Sequence, residues 1–357
     1  MAVSDTSGLS DLQRRSLLRC DIDLQAQGKA TGFVRLPHSV HRSAYGWIPI
    51  PIVRITNGPG PRVLMVAGNH GDEWEGQIAL GKLVRSIEPE HIRGQLVILP
   101  SANFPAAMAG LRTSPIDDGN LNRSFPGDPL GGPTAQIAWW IEHLLLPGFD
   151  YSFDFHSGGN SLVYLPSTLA YRDPDAKRMG TVLGLVRAFG APVGYIVTAP
   201  QSGGRSFTAA SVRQGVMSIA TEVGGGGYVT PSSMATMEDG MRRLLAHVGL
   251  LQGSAPAPAP ATRLTEVGGD DYHVYATDSG LFEPLVDLGA QVRAGQPAAR
   301  IHSHATPWRE PLVLHFERDG LVLCKRGPAP CERGDCLFQL AMARKELRAL
   351  LGDFPGS

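Results

Sequence analysis

Apolar residues recur along the chain with two distinct periods. "RVLMVA" (62–67), "QLVILP" (95–100), "YSFDFH" (151–156), "GYIVT" (194–198) and "VMSIATEV" (216–223) are short runs rich in strand-forming residues. Between them, "EGQIALGKLVRSI" (75–87), "TAQIAWWIEHLLL" (134–146) and "DAKRMGTVLGLVRAFG" (175–190) place apolar residues at helical spacing. Thr134 is the expected N-cap of the second. Strands alternating with helices predict an α/β fold with a mixed, mostly parallel sheet flanked by helices. "GSAPAPAPAT" (253–262) cannot form a helix and reads as a stiff, extended Ala/Pro linker. Beyond it, "YHVYAT", "GLFEPLV", "AARIH" and "LVLHF" are short strand-like runs separated by turns such as "LGAQVRAGQP". The expected organisation is a main α/β domain over 1–252 with an N-terminal β extension at 1–50, the linker at 253–262, and a small all-β domain at 263–345.

Bulk composition narrows the classes of function. The 357 residues are 43% apolar, enough for a sizeable core, and carry 32 basic and 33 acidic side chains. That balance argues against a nucleic-acid surface. No run is long enough to span a bilayer, and the N-terminus lacks the apolar core of a signal peptide. The cysteines, Cys20, Cys324, Cys331 and Cys336, are too few for a disulfide framework and fit a cytoplasmic location. Three of them lie near the C-terminus, without the paired close spacing of a structural zinc site, and read as buried or idle thiols.

Chemistry gathers where the apolar runs end. "GNHGDEWEG" (68–76) follows the first strand and supplies His70 and Glu73; His156 closes "YSFDFH"; Glu222 ends "VMSIATEV". In open α/β sheets, ligands bind beyond the carboxyl ends of the strands. A His-x-x-Glu pair is weak evidence alone, but it places two ligands one helical turn apart. With His156 it makes two imidazoles and one carboxylate, the donor set of an open catalytic zinc site. Thiolate sites are excluded by ligand type, and magnesium would draw more oxygens. Glu222 is suited to take a proton from a water and hand it to a leaving nitrogen. The loop "GLRTSPIDDGNLNRSFPG" (110–127) is long, polar and without helical period, as functional loops often are. It holds Arg112, Asn122 and Arg123, and arginine can grip a carboxylate or stabilise an oxyanion. His302 and His304 share one face of a strand and read as surface or interface residues.

Taken in order, "GNHGDEWEG", "NLNRSFPG", "FHSGG" and "TEVGGGG" resemble the succinylglutamate desuccinylase and aspartoacylase family of zinc amidohydrolases, which are related to carboxypeptidases. The resemblance covers nearly the whole chain. "RTSPIDDGNLNRSFPG" and "GLFEPLVDLG" are most similar to the subgroup of N-acetyl-L-2,4-diaminobutyrate deacetylases of ectoine breakdown. The resemblance implies a zinc-carboxypeptidase-like fold and one zinc ion per chain on His70, Glu73 and His156. It implies Glu222 as general base and proton shuttle, Arg112 polarising the scissile carbonyl, and Asn122 with Arg123 holding the substrate carboxylate. It also implies a small N-acyl amino acid as partner and self-association of the chain. Asp117 and Asp118 are candidates for a substrate amine.

Rival readings are a carboxypeptidase, another N-acyl amino acid deacylase, or a protein that binds without catalysis. "GLFEPLVDLGAQVRAGQP" looks like half of a biotinyl or lipoyl carrier domain. There is no lysine between residues 262 and 324 for a swinging arm to attach to.

Overall fold

The computed structural model describes residues 10–198, 202–253 and 256–342. Ser254 and Ala255 of the expected linker, and residues 343–345 of the expected β-domain, lie outside the described residues. Two compact units are present. One comprises the chain up to His156 together with Ser202–Ser218 and Leu245–Pro256; the other comprises the segments beginning at Ser157, Ile219 and Ala257.

The first unit is built on a six-stranded run in the order Arg19–Cys20, Gly28–Pro37, Trp47–Asn57, Gly94–Leu99, Arg62–Ala67, Tyr151–His156. The last three are mutually parallel, and the others pair antiparallel. Every residue of Gly94–Leu99 is buried, as are all of Arg62–Ala67 except its first, which is why Leu96–Leu99 and Val63–Ala67 read as unbroken apolar runs. Val63 to Ala67 face Tyr151 to Phe155 in register, so these two strands leave the sheet at the same edge, one strand spacing apart. Helices Trp74–Ser86, Phe104–Ala109, Pro133–Trp140 and Phe207–Arg213 cover the sheet.

Two details depart from expectation. The sheet is more mixed than mostly parallel, because the long hairpin Gly28–Pro37/Trp47–Asn57 joins it antiparallel. Thr134 is not an N-cap. The helix starts two residues earlier than that cap would set, at Pro133 with Gly132 as the cap, since proline at the first turn needs no N–H partner. This helix then continues through a π turn at Ile141–Leu145.

In the second unit, Leu162–Tyr171 pairs parallel with Val193–Val197, which pairs parallel with Arg263–Val267. On its other edge Leu162–Tyr171 meets strand Met217–Gly225 and then Gly320–Arg326, both antiparallel. Cys336–Ala341 and His273–Tyr275 continue from there. A separate four-stranded sheet runs Leu312–His315, Pro297–His302, Gly280–Pro284, Pro330–Cys331. Its residues pack around Phe282, Phe316 and Phe338. Helix Ala176–Phe189 is capped by Asp175, whose carboxylate accepts from the Arg178 N–H. Among the described residues, no helix is long and apolar enough to cross a membrane.

Candidate metal centre

Three acceptor side chains converge at the common edge of the two parallel strands. His156 is the last residue of its strand, and His70 follows the end of Arg62–Ala67. Glu73 is the N-cap of helix Trp74–Ser86, and its side chain makes no capping bond. The carboxylate turns instead to the imidazoles: Oε1 lies 2.6 Å from His70 Nδ1, and Oε2 lies 2.7 Å from His156 Nδ1. One donor atom from each residue falls within 4.8 Å of the others, and all three residues are buried. Among the described residues this is the group of acids, histidines and thiols that can hold a metal ion. Cys324 and Cys331 are buried free thiols and Cys336 is half-buried. His302 is exposed and paired to Glu283 at 2.8 Å.

The motif's glycines permit the close approach. A Cβ on Gly71 would sit 2.0 Å from the carbonyl carbon and oxygen of Ala106, and one on Gly76 would sit 2.6 Å from the Phe155 oxygen. The turn therefore lies flush on backbone, and the helix presses on the strand that ends in His156.

The outer nitrogen of each imidazole also has a partner. His156 Nε2 lies 2.6 Å from Asp154 Oδ2, and His70 Nε2 lies 3.2 Å from Asn120 Oδ1. Both partners offer an oxygen acceptor, so with each Nδ1 given to a metal, each Nε2 would carry the hydrogen and donate outward. The composition of the cluster fits a borderline dication: two neutral nitrogens and one carboxylate oxygen, with no thiolate. Its electrostatics fit as well. Burial opposes a charged His156, yet Asp154 and Glu73 on either side hold its pKa well above the usual histidine value. Burial also opposes the Glu73 charge, but His70 and His156 outweigh it and hold the carboxyl below its usual range. Burial dominates at His70, whose pKa is lowered. The cluster is thus a buried place where positive charge is favoured.

Asp154 and Asn120 were not picked out by the sequence reading. Asp154 carried a signal: it stands two residues before His156 in a strand, so the two side chains share a face. Asn120 carried none, because its position follows from the path of the loop.

That loop brings further side chains to the cluster. Leu121 is fully buried and anchors a short 3₁₀ turn over Leu121–Arg123. Arg112 Nη1 lies 3.3 Å from Glu73 Oε1. Asn122 Oδ1 accepts the Phe207 N–H at 2.8 Å, and its Nδ2 lies 3.4 Å from His156 Nε2. Arg123 Nη1 donates to the Asn122 carbonyl at 2.8 Å. Asp117 has a structural role. Its carboxylate accepts from the Thr134 N–H at 2.7 Å and the Thr134 hydroxyl at 2.8 Å, which ties the loop to a helix. Asp118 is exposed and takes a left-handed backbone, φ 52°.

Glu222 belongs to the second unit. It is half-buried in strand Met217–Gly225, opposite Ser167, whose hydroxyl donates to the Glu222 carbonyl at 3.3 Å. A bulge in the facing strand between Tyr164 and Ser167 brings Tyr164 to the same face. The Tyr164 and Tyr195 phenols are pushed well above their usual pKa by burial first and, among further charges, by the Glu222 carboxylate.

Residues 59–248 match the succinylglutamate desuccinylase/aspartoacylase catalytic domain. The chain is 39% identical over 329 residues to the N-alpha-acetyl-L-2,4-diaminobutyric acid deacetylase of Halomonas elongata, covering 92% of this chain and 96% of that one. It is similar to the product-bound structure of the ectoine utilization protein EutE (DoeB) from Ruegeria pomeroyi, with 37% identity, a TM-score of 0.87, and coverage of 92% of this chain and 99% of that one. It is also similar to a succinylglutamate desuccinylase/aspartoacylase structure from Rhodobacter sphaeroides, with 36% identity, a TM-score of 0.86 and the same coverage.

Proposed function

The chain belongs to the succinylglutamate desuccinylase/aspartoacylase family and is an enzyme acting on amides, and from that premise we propose that it deacetylates N-acetyl-L-2,4-diaminobutyrate in ectoine breakdown. The observation that carries the substrate is the 39% identity, over almost the full length of both chains, to a protein named for that reaction. The motif residues His70, Glu73, His156, Asn122, Arg123 and Glu222 are all present to perform it.

His70, Glu73 and His156 are the residues we assign to a zinc ion. When bound, such an ion supplies Lewis acidity that lowers the pKa of water toward neutrality. The protein's own groups divide the remaining work. Arg123 and Asn122 hold the substrate's α-carboxylate, the guanidinium by charge-assisted hydrogen bonds. Arg112, beside Glu73, donates to the oxygen that becomes negative as water adds to the acetyl carbon. Glu222 accepts the proton from that water and delivers it to the amide nitrogen as the carbon–nitrogen bond breaks. Acetate and free diaminobutyrate leave.

The test is a side-by-side assay of N-acetyl-L-2,4-diaminobutyrate, N-acetyl-aspartate and N-succinyl-glutamate with the metal-loaded enzyme. The first is expected to show the highest kcat/KM. A preference for either of the others would reassign the substrate while leaving amide hydrolysis in place.

A further inference from the structure

Asn69 stands immediately before His70, yet its side chain serves the other histidine. The residue is 1% exposed. Its amide Nδ2 donates to both oxygens of Asp154, at 2.8 Å to Oδ1 and 2.9 Å to Oδ2. Asp154 Oδ2 in turn faces His156 Nε2 at 2.6 Å. The amide cannot be reversed, because its oxygen would then press on a carboxylate. In the orientation that remains, Asn69 Oδ1 is buried without a hydrogen-bond partner. A buried acceptor left unmet is unfavourable, so it is the donor side of this amide that suits it to its place.

We infer that Asn69 is a positioning residue for the metal centre, acting through Asp154 on the ring of His156. The two parallel strands each contribute one histidine, and the Asn69–Asp154 contact crosses between them. The residue leading into the first ligand thereby fixes the orientation of the second. Asp154 held by His156 alone could rotate about its carboxyl bond and carry the imidazole with it; the amide removes that freedom. The inference rests on the assignment of His70, Glu73 and His156 to a metal, and its test separates the two.

The experiment measures Zn²⁺ affinity by competition with a chromophoric chelator, alongside the thermal midpoint of the metal-free protein. It uses the full chain and its Asn69→Leu, Asn69→Asp, Asp154→Asn and Asn69→Leu/Asp154→Asn variants. Asn69→Leu keeps the branched four-atom skeleton, though bulkier, and removes the donor, and is expected to weaken Zn²⁺ binding by about 10- to 100-fold with the metal-free midpoint little changed. Asn69→Asp, nearly isosteric, sets a second carboxylate against Asp154 and is expected to weaken binding at least as much, which decides the matter should the leucine variant fail to fold. In the Asp154→Asn background, Asn69→Leu is expected to have little further effect. Wild-type affinity in both Asn69 variants, or a loss of equal size with and without Asp154, overturns the positioning role. A wild-type chain that binds no Zn²⁺ overturns the metal assignment itself.

Discussion

At His156 a metal ion must compete with a proton. The charged ring lies between two carboxylates, Asp154 and Glu73, and its pKa is held well above the usual value although burial opposes it. In the metal-free protein, this charge contributes stability that is full below the ordinary histidine pKa and is lost as pH rises through the raised value. Glu73 has the opposite sign. Its lowered pKa contributes stability above the ordinary carboxylate range, which is lost as pH falls through the lowered value. A metal needs His156 neutral, so binding releases a proton, and affinity climbs as pH rises through the ordinary histidine range toward the raised pKa. Titration calorimetry in two buffers of different ionisation heat would register that proton; a heat independent of buffer would contradict it. Other side chains are separable by what they lose. Glu222→Ala is expected to keep full metal content and lose about 10²–10⁴ in kcat. Unchanged turnover in that variant would remove Glu222 from the reaction. Arg112→Ala is expected to cost about 10²–10³ in kcat, and a change confined to KM would assign it to binding alone.

Among the elements, the turn from strand to helix at 68–76 decides whether the ligands meet. Gly71 has no room for a side chain against the Ala106 carbonyl. Gly71→Ala is therefore expected to cost about 3 kcal/mol of unfolding free energy and to lower metal stoichiometry. Equilibrium denaturation and metal analysis check both, and a fully loaded variant of native stability would show that the turn can yield. Strand Arg62–Ala67 was legible in the sequence because burial on both faces leaves an unbroken apolar run, and Tyr151–His156 because aromatic and polar residues alternate along it. Helix Trp74–Ser86 was legible from its apolar spacing. The start of the helix at Pro133 was misjudged because a threonine looked like a cap, when its N–H and hydroxyl serve Asp117 in a distant loop. The π turn at Ile141–Leu145 left no trace in the apolar pattern, since one extra residue per turn barely shifts it over so short a span.

For the whole molecule, the α/β class and the convergence of His70, Glu73 and His156 followed from strand ends and residue types. Strand direction did not. Apolar runs do not record which neighbour they pair with, and the hairpin Gly28–Asn57 turns a parallel core into a mixed sheet. Behind the ligands, Asp154 was within reach from its place two residues before His156, whereas Asn69 and Asn120 were not, because their contacts join distant segments. A bound ion stabilises the folded state in proportion to the logarithm of its excess over its dissociation constant, so one buried cluster influences the whole chain. The most direct measurement is to strip the protein of metal and titrate Zn²⁺ back while following hydrolysis of N-acetyl-L-2,4-diaminobutyrate. Activity absent at the start, rising linearly and breaking at one equivalent per chain, with no recovery in Glu73→Ala, is the expected result. Hydrolysis by the stripped protein, or equal recovery in Glu73→Ala, would contradict it.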